Sequence, residues 1–366
     1  MKSTPFSISF YREKKLFSPS GFLVSLSFVF GILFLNFNTR KSVNENSANT
    51  EPVKKEKEDV VDLSNYVFFD QDDFDGAGLN TNIWDYRQVN TKRNNHVSWD
   101  SLVRSNISLH DGTLFLSVDH VRENVFSASM ISTESRKQYW FKYGYFELRA
   151  KLTQQYGSTC AFWIQSPTMT RETDNPSLNG VEIDVVEYAK TAGKDSIFQS
   201  LVWNGYAAKQ KMLSSHINVE GISAGFHTFA LEWTPKEYIS YIDGKETARS
   251  SNAISHRPEF IILSAGTGGF GGDPLKYRNN FPDRFEVDYI KFYKRKPAVR
   301  FYGKNNYGGW VSADLVPGSY TTTQLQAMGV INNDASSIEV PDGWKVTAYD
   351  GDNFTGDSVI ITSDAA

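Results

Sequence analysis

Between Val67 and Arg295, strand-like runs succeed one another with no long amphipathic helix among them: GTLFLSV, YGYFELRAKL, CAFWIQS, VEIDVVEY, FQSLVW, HTFALEW, YISYIDGKE, EFIILSA and FEVDYIKFY. In the second run Tyr145, Glu147 and Arg149 alternate with Phe146, Leu148 and Ala150, which sends the two sets to opposite faces of a strand. Asp243-Gly244 is a hairpin turn signal between two such runs. The economical architecture is all-β: a two-sheet antiparallel sandwich, curved so that one face can hold a ligand.

The segment GVEIDVVEYAK, Gly180 to Lys190, breaks that simple alternation. Glu182 and Asp184 are two apart and share a face, whereas Glu187 comes three later and would point the other way. A β-bulge in which Val185 and Val186 together oppose one partner residue absorbs the extra position and returns Glu187 to the face of the other two acids. Three carboxylates on one partly covered face repel one another, and at least one is held protonated near neutral pH. That is the condition for glycoside hydrolysis, in which an ionised carboxylate attacks while a protonated one assists the leaving group. Two long Glu side chains at the outer positions can lean together across a concave sheet, which two Asp could not. An acidic strand that binds calcium or faces solvent is the other reading of this spacing.

With a net charge of -4 and 366 residues, nothing marks the chain as a nucleic-acid binder, and it is long enough for a full core plus a smaller second unit. Aromatic residues make up 14% of the chain, enough to supply sugar-stacking rings as well as core. Trp163 and Gln165 in CAFWIQS, and Trp203, Asn204 and Tyr206 in VWNGY, flank the acids in sequence and are the candidate sugar contacts, with core packing the competing role for each ring. The single cysteine, Cys160, excludes a disulfide framework and a Cys-based zinc site, and it reads as a buried thiol. The six histidines show no metal-ligand spacing; His227 in FHTF alternates like a core strand and reads as structural. Transition-metal chemistry is therefore not expected.

Five segments follow from the patterning. A basic N-terminal segment, 1–15, precedes an uncharged, largely apolar stretch at 16–39 that is long enough to enter a bilayer, with flanks that fit an N-in orientation. No small-residue cleavage pattern or lipobox cysteine follows, so a retained signal anchor is expected, with a cleaved signal peptide the alternative; in either case the remainder is exported. Residues 40–65 are polar and charged, as in a disordered stalk. The β-rich region spans 66–297. At 298–366 the composition shifts and a pattern repeats: Tyr302, Tyr307 and Gly309 are matched by Tyr349, Phe354 and Gly356, which suggests a small unit of paired β motifs.

The region from about Val67 to Lys296 resembles family 16 of the glycoside hydrolases, of laminarinase and β-glucanase type. The resemblance rests on EIDVVE, with DDFDG, YGYFELRAKL, AFWIQS, FHTFALEWTPKEYISYIDGKE and FEVDYIKFY in support. It implies a β-jelly roll and internal, retaining cleavage of a β-linked polysaccharide, with no metal or other cofactor needed for the chemistry. Glu182 would be the nucleophile, Glu187 the general acid and then base, Asp184 a hydrogen-bonding partner that tunes the nucleophile, and Trp163 part of the floor of the cleft. Asp288 is a candidate for the calcium site some members carry. Two segments depart from the family: TKRNNHVSWDSL carries no WGN motif, and Val202 stands where some members have a His before WDGY. Both departures concern sugar contacts rather than the acids and leave the reaction type intact. The resemblance implies β-1,3- or mixed β-1,3/1,4-glucan as substrate; an algal galactan (agarose, carrageenan or porphyran) is the alternative, and a non-catalytic lectin-like module the alternative of a different class. Residues 298–366 resemble an incomplete βγ-crystallin domain, a Greek-key β unit, whose loop NNDASS implies a structural calcium on Asn332, Asn333 and Ser336.

Overall fold

The computed structural model describes residues 7–12, 61–88, 92–94 and 99–366. The expected anchor or signal peptide at 16–39, and the linker except for residues 61–65, lie outside the described residues. Among the described residues no helix is long and apolar enough to cross a membrane.

Each of the nine runs forms a strand. The region is two stacked antiparallel sheets, and the strands Thr113–Arg122 and Val125–Ser132 pair with each other and join one sheet to the other. One sheet runs through Val125–Ser132, Phe260–Thr267, Ser158–Gln165, Glu182–Tyr188, Ser196–Trp203 and Lys211–Asn218 in spatial order. The other is organised around Asp283–Arg295, which pairs with Gly144–Lys151 along one edge and with Tyr66–Asp72 and Thr113–Arg122 along the other. Beyond Gly144–Lys151 lie His227–Trp233, Tyr238–Ile242 and Lys245–Ser250. The hairpin Tyr238–Ser250 turns at Asp243 and Gly244, whose φ values of 50° and 77° fit the primed turns that match strand twist.

The alternation read in YGYFELRAKL decides which face is core: Phe146, Leu148 and Ala150 are fully buried between the sheets with Phe162, Phe229, Phe285 and Phe292. Tyr145, on the outer face, is buried in a separate small cluster with Tyr66, Ala230, Ile239 and Tyr241. Cys160 is buried, and burial lifts its thiol to about 12, which keeps it protonated and inert. His227 is held by Asp243 at 2.7 Å beside the hairpin turn rather than packed in the core, because the register places it at the sheet's end.

A second, separate core forms around Val299, Phe301, Leu315, Leu325, Ile338 and Val346. The repeated pattern folds alike in both copies. Tyr302 and Tyr307 meet edge-on at 5.4 Å, Tyr349 and Phe354 at 5.9 Å, and Gly309 and Gly356 have φ of 78° and 81°. Six residues of the N-terminal segment, Ser7–Arg12, pair in full register with Trp344–Tyr349 and also touch Ser319–Tyr320, completing one sheet of this unit. A buried ionic junction ties the two units together: Glu339 binds Lys142 at 3.1 Å, Arg300 at 3.3 Å, and the hydroxyls of Tyr143 and Tyr302. Burial opposes ionisation, yet Lys142 and Arg300 hold the Glu339 carboxyl down at about 2.

Candidate active site

The acid strand Glu182–Tyr188 is bulged where its sequence requires. Against the following strand, Asp184 faces Ser200 and Glu187 faces Phe198, so Val185 and Val186 together oppose Gln199. Against the preceding strand, Glu182 faces Gln165, Asp184 faces Trp163 and Glu187 faces Ala161. Those partners alternate regularly, so the three acids lie on one face. Val185 and Val186 are fully buried, and Gln199 donates to the Val185 carbonyl at 3.1 Å, which satisfies a carbonyl the bulge takes out of the ladder.

The acids sit in unequal surroundings. Burial raises the Glu182 carboxyl, while hydrogen bonds from Tyr206 and from Gln165 (3.1 Å) and the charge of Arg87 pull it back. Burial, then the charge of Glu182, lifts Glu187 to about 7 against one opposing hydrogen bond from Ser200. Asp184, 6% exposed, is raised well above its usual range by burial and then by Glu187 and Glu182. Of the three, Glu182 alone has its rise opposed by two hydrogen bonds and a positive charge, so the surroundings favour negative charge on Glu182 over Asp184 and Glu187. The hydrogen bonds to Glu182 come from Gln165 and Tyr206, where Asp184 was expected to supply one.

Arg87 braces this arrangement. It donates to Gln165 Oε1 at 3.0 Å and to Glu134 at 3.1 Å, and its guanidinium lies 5.7 Å from the Trp163 ring. Trp163, across from Asp184, donates its indole N–H to Ser264 at 3.2 Å. Sequence reading missed Arg87 and Ser200: neither sits in a motif, and Arg87 is 78 residues from Gln165.

Tyr206, 51% exposed, reaches Glu182 from the loop after the next strand. Trp203 packs against the main core, since Val202 is the residue facing Glu182 and its neighbour turns away. Asn204 is consumed in its loop: it accepts from the Asp174 amide and donates to the Lys209 carbonyl, each at 2.7 Å. In this arrangement Trp203 supports the core and Asn204 supports its loop. Asp288 pairs with Arg149 in the outer sheet. Among the described residues no group of three or more His, Cys, Asp or Glu could hold a metal ion. In the C-terminal loop Asn333 has φ of 60°, and the Ser336 amide bonds the Tyr302 carbonyl at 2.8 Å.

A β-glucanase of Acetivibrio thermocellus is 26% identical over 234 residues, 63% of this chain and 63% of that protein, so the chain spans under two thirds of that relative. Development-specific protein S of Myxococcus xanthus is 43% identical over 65 residues, 18% of this chain and 36% of that protein. The solved laminarinase of Rhodothermus marinus superimposes with a TM-score of 0.53 at 21% identity, covering 63% of this chain and 98% of that one, which establishes a shared fold. The sequence profile of glycosyl hydrolases family 16 matches residues 88–291. The chain belongs to that family.

Proposed function

We propose that this protein is a retaining endo-glycosidase that cuts β-1,3- or mixed β-1,3/1,4-glucan. The carrying observation is the bulge that puts Glu182, Asp184 and Glu187 on one face with unequal protonation. Glu182, ionised and fixed by Gln165 and Tyr206, attacks the anomeric carbon as Glu187 delivers its proton to the departing glycosidic oxygen. That step forms a covalent glycosyl ester on Glu182. Glu187, now ionised, takes a proton from water, whose oxygen attacks the same carbon and releases Glu182 with the anomeric configuration retained. Asp184, protonated between them, keeps a third charge off the face. Trp163 and Tyr206 line the substrate side. The names of the family relatives, β-glucanase and laminarinase, support the choice of glucan.

A polysaccharide panel with product sizing tests the reading. Laminarin or mixed-linkage glucan should fall to short oligosaccharides with early loss of viscosity. Cleavage of agarose, carrageenan or porphyran alone would move the substrate to galactan, and binding without cleavage of any would reduce the protein to a lectin-like module.

The protein is proposed to act outside the cytoplasm, on the strength of the apolar stretch at 16–39. If that stretch stays in a bilayer with its N-terminus inside, Ser7–Arg12 and Trp344–Tyr349 lie on opposite sides and cannot pair as they do here. Protease protection of residues 1–15 in intact cells would decide for the anchor, and its absence for the pairing. The C-terminal unit is proposed to be βγ-crystallin-like, supported by the matching ring geometry and left-handed glycines of its two motifs. A structural calcium on Asn332, Asn333 and Ser336 predicts a melting temperature that rises with calcium and falls with chelator.

A further inference from the structure

Directly behind the start of the acid strand lies a carboxyl with no part in the chemistry above. Glu259 is 0% exposed, at the head of the strand Phe260–Thr267. Its main chain is clamped to Phe141 by two bonds of 2.9 Å, one in each direction. Its Oε1 accepts the Val181 amide at 2.9 Å, and its Oε2 is buried without a hydrogen-bond partner. Val181 is the residue immediately before Glu182. The amide can be reached because the residue before it is Gly180, at φ of 85°: a Cβ there would stand 2.6 Å from Glu259 Oε1 and 2.1 Å from Ser166 Cβ.

The neighbouring residues grip the same stretch of chain. The His256 amide bonds the Ser177 carbonyl at 3.2 Å, and Arg257 donates to the Leu178 carbonyl at 3.0 Å. From the other side Ser166 and Thr168 donate to the Asn179 carbonyl at 2.7 and 2.8 Å. The approach to Glu182 is thus fixed at four positions, Ser177, Leu178, Asn179 and Val181, and the last of these is held by a buried carboxyl. Burial raises Glu259 to about 8, so it carries its proton at neutral pH and can hold an amide there without a second buried charge near Glu182. A backbone amide alone could be satisfied by any acceptor. A buried carboxyl is a costlier acceptor than a backbone carbonyl, and this one is spent on the amide that leads into Glu182.

We propose that Glu259 is a positioning residue for Glu182, fixing the Val181 amide and thereby the origin of the acid strand. This rests on the assignment of Glu182 as nucleophile. The test compares E259Q, E259D and E259L in the full chain on laminarin. Gln keeps an amide oxygen at the same reach, so E259Q should retain kcat within about threefold. Leu removes the acceptor and Asp withdraws it by one methylene; each should lower kcat by about tenfold to a hundredfold, with KM within about twofold, because the misplacement affects attack rather than sugar binding. E259D guards against failure of E259L to fold. Folded E259D or E259L with parental kcat, or E259Q as impaired as they are, would overturn the proposal. If the parent itself releases no reducing ends, the glycosidase reading fails instead, so the two failures are distinguishable.

Discussion

Deleting Val185 should cost stability while sparing activity. The two valines of the bulge oppose Gln199 alone, and both are fully buried in the main core. Removing one forfeits a buried valine side chain, about 1.5–3 kcal/mol, and the Gln199 bond to its carbonyl, about 1 kcal/mol more, so roughly 2.5–4 kcal/mol in all. For a unit of this size that corresponds to roughly 10 °C in Tm. The acids, however, take their spacing from the partner strand. Glu182 faces Gln165 and Glu187 faces Ala161, and the four-residue span between those partners, about 13 Å, is the same whether the acid strand is bulged or straight. Without Val185 the acids fall at alternate positions and remain on one face. The assay is a thermal melt alongside reducing-end release from laminarin, read well below the lowered Tm, and kcat/KM is expected within about tenfold of the parent. A folded deletion variant with a thousandfold loss would show that the bulge itself sets catalytic geometry, and a melt unchanged from the parent would refute the packing argument.

The pH profile of kcat/KM should have a basic limb near pH 7, where Glu187 loses the proton it must donate, and an acid limb where Glu182 gains one; in E187Q the limb near 7 should disappear from whatever activity remains. At the junction, the depressed Glu339 carboxyl stabilises the fold above its ordinary value of 4.5, and that contribution, on the order of 3 kcal/mol, is lost as pH falls from 4.5 towards 2. E339Q should therefore lower the melting temperature of the C-terminal unit at pH 7 and flatten its dependence on pH below 4.5. Truncation of residues 1–15 removes the strand Ser7–Arg12 and exposes an edge of Trp344–Tyr349; it should lower the same transition without changing kcat on laminarin.

What was legible in the sequence was whatever depends on local periodicity. The strands, the hairpin at Asp243-Gly244 and the bulge at Val185 and Val186 follow from spacing, because side chains alternate strictly along a strand. The same rule, applied one residue further, would have placed Trp203 on the core side of its strand, since Val202 faces Glu182. Contacts between distant segments left no such trace. Arg87 meets Gln165, and Glu259 meets Val181, across 78 residues in each case, and only the stacking of strands fixes those pairs. The basic N-terminal segment gave no sign that Ser7–Arg12 would complete a sheet with Trp344–Tyr349, because an extended strand carries no mark of its partner. Glu259 passed unnoticed for a related reason: a single Glu ahead of an apolar run reads as a solvated strand end, and only its burial shows otherwise.

The division of labour between Glu182 and Glu187 is tested most directly by trapping the intermediate. E187Q, incubated with a 2-fluoro laminaribioside bearing an activated leaving group, should accumulate a covalent adduct, and peptide mapping should place it on Glu182. An adduct on any other residue, or hydrolysis of laminarin by E182Q at the parental rate, would contradict the account.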